Sequence, residues 1–240
     1  MGSSKRIFLW SGPRNISTAL MYSFAQRKDT AIIDEPLYGH YLSQTPAKGY
    51  HPGAREILEN MEIDGSKVVE KMVSKTEIPV TFYKNMTHHL VGLDWSFLKE
   101  GINIILTRHP EEMLLSFEKV IGTPKMHDVG YQMQVDLLNY LKEINHPIIV
   151  LDAKKMLMNP AHQLKNLCRA IGITFDQRML HWEAGNRAED GVWAKYWYKN
   201  VHQSTGFQAY VPKNAAFPDK LKPLLEECLP CYDALIAYSF

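Results

Sequence analysis

"FLWSGPRNISTALMYSF", residues 8–24, decides the fold: an apolar run ends in a polar turn, and a helical pattern starts at Ser17. The turn holds Gly12, Pro13, Arg14, Asn15, Ile16, Ser17 and Thr18. A strand that passes through a turn into a helix gathers unpaired backbone N–H groups and the positive end of the helix dipole around one point. That point suits a phosphate.

The common phosphate loop, G-x-x-x-x-G-K-[ST], nearly fits, because Gly12 stands five positions before Ser17-Thr18. Ser17 occupies the second glycine position and Thr18 the lysine position, so the group that reaches the β- and γ-phosphates of a nucleoside triphosphate is missing. Arg14, earlier in the loop, supplies a cation instead. From this stretch alone, an anion site and a plain helix start, with Ser17 or Thr18 as N-cap and Arg14 solvated, stand level.

Working outward, 240 residues with 45% hydrophobic and 22% charged side chains suffice for a sizeable core, and residues 1–240 are expected to form a single domain. Lys+Arg 27 against Asp+Glu 26 leaves a net charge of +1, which offers no global field for nucleic acid or an acidic membrane. Any anion must be gripped locally. The N-terminal "IFLW" is too short for a signal peptide or a span, and the expected location is cytoplasmic. Cys168, Cys228 and Cys231 are an odd set, which speaks against a disulfide framework. "CLPC" has no second Cys or His pair to complete a metal site, and no metal is expected.

"RIFLW", "TAIID", "PVTFYK", "INIILT" and "PIIVLD" alternate with helical patterns: "STALMYSFAQR", "GAREILENM", "SKVVEKMVSK", "EEMLLSFEKVI" and "DVGYQMQVDLLNYLKEI". That rhythm predicts a parallel sheet with crossover helices on both faces. Ligands of such sheets sit at the carboxyl ends of the strands. Polar clusters fall at four of those ends: "SGPRNIST", "DEPLY", "YKNMTHH" and "TRHP". Within the last, Arg108 at a strand end and Ser116 two turns along the next helix can grip one anion from two sides, unless Arg108 is simply paired with Glu111 or Glu112.

Together, "PRNISTAL" and the Arg108-x7-Ser116 spacing resemble the sulfotransferases that use 3′-phosphoadenosine 5′-phosphosulfate (PAPS). "IIVLDAKKMLMNPAHQLKNLCRAIGITFDQRML" and "EDGVWAK" extend the resemblance, so that it spans residues 6 to about 195. Many members carry Ser-Gly where this chain has Asn15-Ile16, and Lys where it has Arg14. The resemblance implies an α/β fold, a three-layer parallel β-sheet flanked by helices of the P-loop NTPase-like sulfotransferase type. It implies a 5′-phosphosulfate loop at Gly12–Thr18, a 3′-phosphate grip at Arg108 and Ser116, and a late cofactor loop carrying Trp193 and Lys195. PAPS is then the donor, 3′-phosphoadenosine 5′-phosphate (PAP) the product, and a hydroxyl or amine of a small molecule the acceptor.

For the acceptor's proton, Glu35 is the favoured base, with His88 or His89 next. Lys84 is a candidate proton donor to the bridging oxygen, and Arg14 a stabiliser of the leaving charge. Tyr38, His40, Tyr41, Trp193, Tyr196, Trp197 and Tyr198 are candidates to shape a pocket, with loops 38–55 and 185–215 choosing the acceptor. A nucleotide kinase or ATPase, and a non-catalytic nucleotide-binding module, are the competing functions. The sequence leaves the acceptor and the oligomeric state open.

Overall fold

The computed structural model describes residues 4–212 and 216–240. The five apolar runs become β1 (Lys5–Ser11), β2 (Thr30–Asp34), β3 (Val80–Met86), β4 (Ile102–Thr107) and β5 (Ile149–Asp152). They pair in the order β2-β3-β1-β4-β5, every neighbouring pair parallel. The central β1 is buried on both sides. Ile7 and Leu9 join Leu20, Phe24, Phe82, Ile104 and Leu106 in one core, while Phe8 and Trp10 join Tyr83, Ile105 and Val150 in another. An unbroken apolar strand is what a sheet with two covered faces requires, because alternate side chains feed opposite layers.

The helices are α1 (Ser17–Phe24), α2 (Tyr38–Gln44), α3 (Ala54–Asn60), α4 (Gly65–Val73), α5 (Pro110–Phe117), α6 (Met126–Val129) and α7 (Tyr131–Glu143). After β5 come α8 (Ala153–Met158), α9 (Pro160–Ala170), α10 (Ala194–Trp197), α11 (Lys199–His202) and α12 (Lys222–Ile236). The one helix expected over "DVGYQMQVDLLNYLKEI" is instead α6 and α7, divided at Gly130, whose φ of 76° ends the first helix in the left-handed region. Likewise α8 and α9 part at Asn159, whose side chain accepts from the His162 N–H and caps the helix that Pro160 begins. "CLPC" lies on α12, where burial raises the thiol of Cys228 to about 12, so it is a packed, inert side chain.

This order sets the site. β1 ends at Ser11 between Met86 of β3 and Leu106 of β4, so the first loop opens between the third and fourth strand-end clusters. In the β2 to β3 register Asp34 lies beside Lys84, which brings the second cluster to the same crevice.

Candidate active site

Gly12 begins the loop because backbone crowds it: a Cβ there would sit 2.9 Å from the Val129 carbonyl oxygen. Asn15 faces inward, its amide donating to the Leu106 carbonyl at 3.2 Å, and so ties the loop to β4. Arg14 and Ile16 both have left-handed backbones, φ 58° and 62°, costly for any L-residue and most of all for a β-branched one. Ile16 spends its side chain packing against the core. Helix α1 therefore starts with no side-chain cap, and the amides of Ser17 and Thr18 have no partner within the helix.

Two arginines meet beside this helix start. Arg14 donates through Nε to the Ser116 hydroxyl at 3.0 Å and pairs with no carboxylate among the described residues. Burial lowers its affinity for the proton, and the neighbouring Arg108 lowers it further. Arg108 forks onto Glu112, Nε at 3.1 Å and Nη2 at 2.9 Å, and donates through Nη1 to the Arg14 carbonyl at 3.0 Å. Arg108 is thus ion-paired with Glu112, the alternative its sequence context offered, and the Ser116 hydroxyl is taken by Arg14 rather than by Arg108. Tyr210 closes this end by donating to Glu112 at 2.6 Å.

Across the crevice lies a buried charge network. Lys84 donates to Asp34 at 3.1 Å, to the Tyr198 hydroxyl at 2.6 Å and to Oε1 of Glu35. An ammonium has three protons, and all three are taken, so Lys84 holds Glu35 rather than reaching outward. Tyr198 donates to Asp34 at 2.8 Å and accepts from the Trp193 indole at 3.1 Å. Burial raises the pKa of Glu35, opposed by Lys84 and aided by Asp34. Burial alone would strip the proton from Lys84, but Asp34 and Glu35 reverse that and hold the ammonium charged.

His88 and His89 follow β3 in a short 3-10 turn, both buried. The His89 ring packs against both Tyr38 and Tyr41, with centroids at 4.9 and 4.8 Å, and the two tyrosine rings also meet each other at 6.4 Å. Burial, aided by neighbouring imidazoles, pushes His88 down to about 3 and His89 well below the ordinary histidine value. Both rings are neutral at pH 7.

One cavity of about 420 Å³ joins these parts. Of the residues singled out in the sequence, Pro13, Arg14, Asn15, Ile16, Ser17, Thr18, Glu35, Lys84, His88, His89, Arg108 and Ser116 all line it. Gly12 supports the loop from behind. Trp193 is in the core against Tyr38, and Lys195 pairs at the surface with Glu56 at 2.5 Å; neither lines the cavity.

The chain matches the Sulfotransferase domain family over residues 5–239. It belongs to that family. Among solved structures, a sulfotransferase from Alicyclobacillus acidocaldarius superposes with a TM-score of 0.56 at 9% identity, covering 98% of this chain and 96% of that one. The sulfotransferase domain of an olefin synthase from Synechococcus PCC 7002 does so with 0.52 at 14% identity, covering 95% of each. These likenesses establish the P-loop-like sulfotransferase fold. By sequence, the domain is 39% identical over 231 residues to branched-chain-amino-acid aminotransferase-like protein 2 of Arabidopsis thaliana. That alignment takes in 95% of this chain and 41% of the plant protein, so the chain spans about two fifths of that relative's length.

The structure also gives this sulfotransferase domain residues that spacing did not single out. Asp34, His51 and Asp128 come to the site from β2, the loop after α2 and α6. Residues 204 and 206–211, inside the 185–215 loop expected to choose the acceptor, also line the cavity, and His51 belongs to the 38–55 loop given the same role. Asp34 and Asp128 carried no sequence signal beyond polarity, and no spacing rule joins positions so far apart. Among the described residues, no group of three or more His, Cys, Asp or Glu side chains is placed to hold a metal, and no helix is long and apolar enough to cross a membrane.

Proposed function

We propose that the domain transfers a sulfuryl group from PAPS to a hydroxyl or amine of a small-molecule acceptor. The observation that carries this reading is the facing pair in one cavity: a desolvated Arg14 beside an uncapped helix start on one wall, and a buried Glu35 with a raised pKa on the other. The free amides of Ser17 and Thr18 and the Arg14 guanidinium suit the 5′-phosphosulfate. Arg108 and Ser116 suit the 3′-phosphate, which would share Arg108 with Glu112.

Glu35 takes the acceptor's proton as the acceptor atom bonds to sulfur. The bond from sulfur to the 5′-phosphate oxygen breaks, and its electron pair stays on that oxygen. Arg14 and the α1 amides hold this charge, so they contribute most in the transition state. Lys84 keeps Glu35 ionised and oriented through Oε1. His88 and His89, neutral and weakly basic, line the acceptor side instead of acting as the main base.

The test is Glu35→Gln against His88→Asn, each assayed for PAP binding and for single-turnover transfer. Glu35→Gln should bind PAP normally and lose about 10²- to 10⁴-fold in transfer, the worth of a positioned base, while His88→Asn keeps most of the rate. The opposite pattern would move the base to His88, and full transfer by both would remove the carboxylate mechanism.

A further inference from the structure

Both walls of the acceptor side carry buried negative charge. Asp128, the third residue of the short α6, lines the cavity and is only 3% exposed. Its Oδ1 accepts from the Tyr50 hydroxyl at 2.5 Å and its Oδ2 from the Lys125 backbone N–H at 2.8 Å. Among the described residues its one ion-pair partner is the imidazole of His127, at 3.4 Å on an exposed ring, with the His51 imidazole nearby. Among the described residues no lysine or arginine pairs with Asp128, and Lys84, the cation of this side, is fully taken by Asp34, Glu35 and Tyr198. A buried carboxylate without a full counter-charge is costly.

A second, independent feature marks the same wall as a binding surface. His51, His88 and His89 line the cavity, each more than nine-tenths buried, and each leaves a ring nitrogen without a partner: Nε2 of His51, Nδ1 of His88 and Nδ1 of His89. His51 spends its other nitrogen on the Tyr38 hydroxyl at 2.9 Å. Tyr38 and Trp197 border the same space and offer aromatic faces to a cation.

We propose, on the sulfotransferase reading above, that the acceptor is an amino alcohol whose ammonium group docks on Asp128 while its hydroxyl meets Glu35. The ligand supplies the counter-charge that the fold withholds from Asp128. An anionic acceptor is turned away by Asp128 and Glu35 together, and a neutral one leaves Asp128 uncompensated. The negative acceptor wall and the positive donor wall then receive ligands of opposite sign.

The experiment titrates phenylalaninol, phenylpropanol and phenyllactate, matched in bulk and differing in charge, into the protein saturated with PAP. Phenylalaninol should bind about tenfold or more tightly than phenylpropanol, a difference of one pairing interaction, and phenyllactate weakest of the three. Asp128→Asn should bring phenylalaninol and phenylpropanol to within about twofold of each other with PAP affinity unchanged, since the amide oxygen still accepts from the Lys125 N–H and the amide NH2 can donate to the Tyr50 oxygen once that hydroxyl turns away. Tyr50→Phe, which loosens Asp128 but keeps its charge, should retain the preference. Equal or tighter binding of the neutral alcohol, no binding of any probe, or a preference that survives Asp128→Asn overturns the proposal. Failure to bind PAP at all would instead overturn the sulfotransferase reading.

Discussion

The buried imidazoles make the protein acid-labile in a way that can be assigned to single residues. Burial pushes His51 down to about 4 and His88 to about 3, from an ordinary value of 6.5. Their folded pKa values are depressed, so below pH 6.5 the unfolded chain binds protons that the folded chain refuses. Stability is then lost as pH falls from 6.5 towards the folded values, at about 1.4 kcal/mol per pH unit for each ring. By pH 5 each should have withdrawn about 2 kcal/mol, a large share of a typical total of about 5–15 kcal/mol. Glu35 acts in the opposite sense, because its raised pKa makes the folded state the better proton acceptor in acid. The absolute slope therefore mixes both, and the comparison between variants isolates the histidines. Urea unfolding of wild type, His51→Gln and His88→Gln is to be measured at pH 7 and pH 5. Each variant should lose about 2 kcal/mol less than wild type between the two pH values, whatever its stability at pH 7. Parallel losses in all three proteins would refute the claim that these rings are held neutral by the fold.

Arg14→Ala should lower single-turnover transfer about a hundredfold or more, and PAP affinity much less, as for loss of one transition-state donor; an unchanged rate would make Arg14 ordinary surface. Calorimetry should find PAP bound far more tightly than AMP. Arg108→Ala should cost about 2 kcal/mol of PAP binding, while Glu112→Gln, by weakening the competing ion pair, should tighten it; equal affinity for AMP would remove the 3′-phosphate site. Gly12→Ala should destabilise the fold by about 1–3 kcal/mol, read from thermal unfolding, because its Cβ meets the Val129 carbonyl at 2.9 Å.

The sheet was legible because its strands are continuous apolar runs, and the loop because Gly12 to Thr18 falls where β1 must end. Arg108 and Ser116 were picked out by their spacing, but spacing did not name the partner each takes: Arg108 pairs with Glu112 and Ser116 accepts from Arg14. Asp34 was overlooked beside Glu35, since only the strand register shows that it lies next to Lys84. Tyr198 was one of a run of aromatic residues, and nothing local says that it alone reaches across 164 positions to Asp34. Trp193 and Lys195 matched a loop motif by letter. In the fold the indole is drawn into the core by Tyr38 and Tyr198, and the ammonium outward by Glu56. Gly130 lay inside a pattern read as one helix, although its left-handed backbone and the His88 ring packed against it make it a boundary.

Backbone strain points to the same place as the charges. Among the described residues, four that are not glycine have positive φ: Arg14, Ile16, Glu35 and Asn145. Three of them line the cavity. Such conformations cost about 1–3 kcal/mol each and persist only where the surroundings over-determine them. At Glu35, with φ 40°, the surroundings are the Lys84 ammonium, which donates to Oε1, and the nearby Tyr198 hydroxyl, which leaves Oε2 as the oxygen for an incoming proton. Burial makes that oxygen more basic than an exposed glutamate, and Lys84 opposes the shift. A carboxylate whose pKa is tuned upward is the better base for proton abstraction near neutrality. Asp34 matters here without touching the acceptor: it holds Lys84 charged and Tyr198 in place, so that Glu35 competes for a cation already shared. An Asp34→Asn variant should therefore shift the acid limb of the transfer rate, which rises with pH as Glu35 ionises, to lower pH. The removed neighbouring charge no longer raises Glu35, and Lys84 turns more fully to it. A merely structural role for Asp34 would lower the rate and leave that limb where it was.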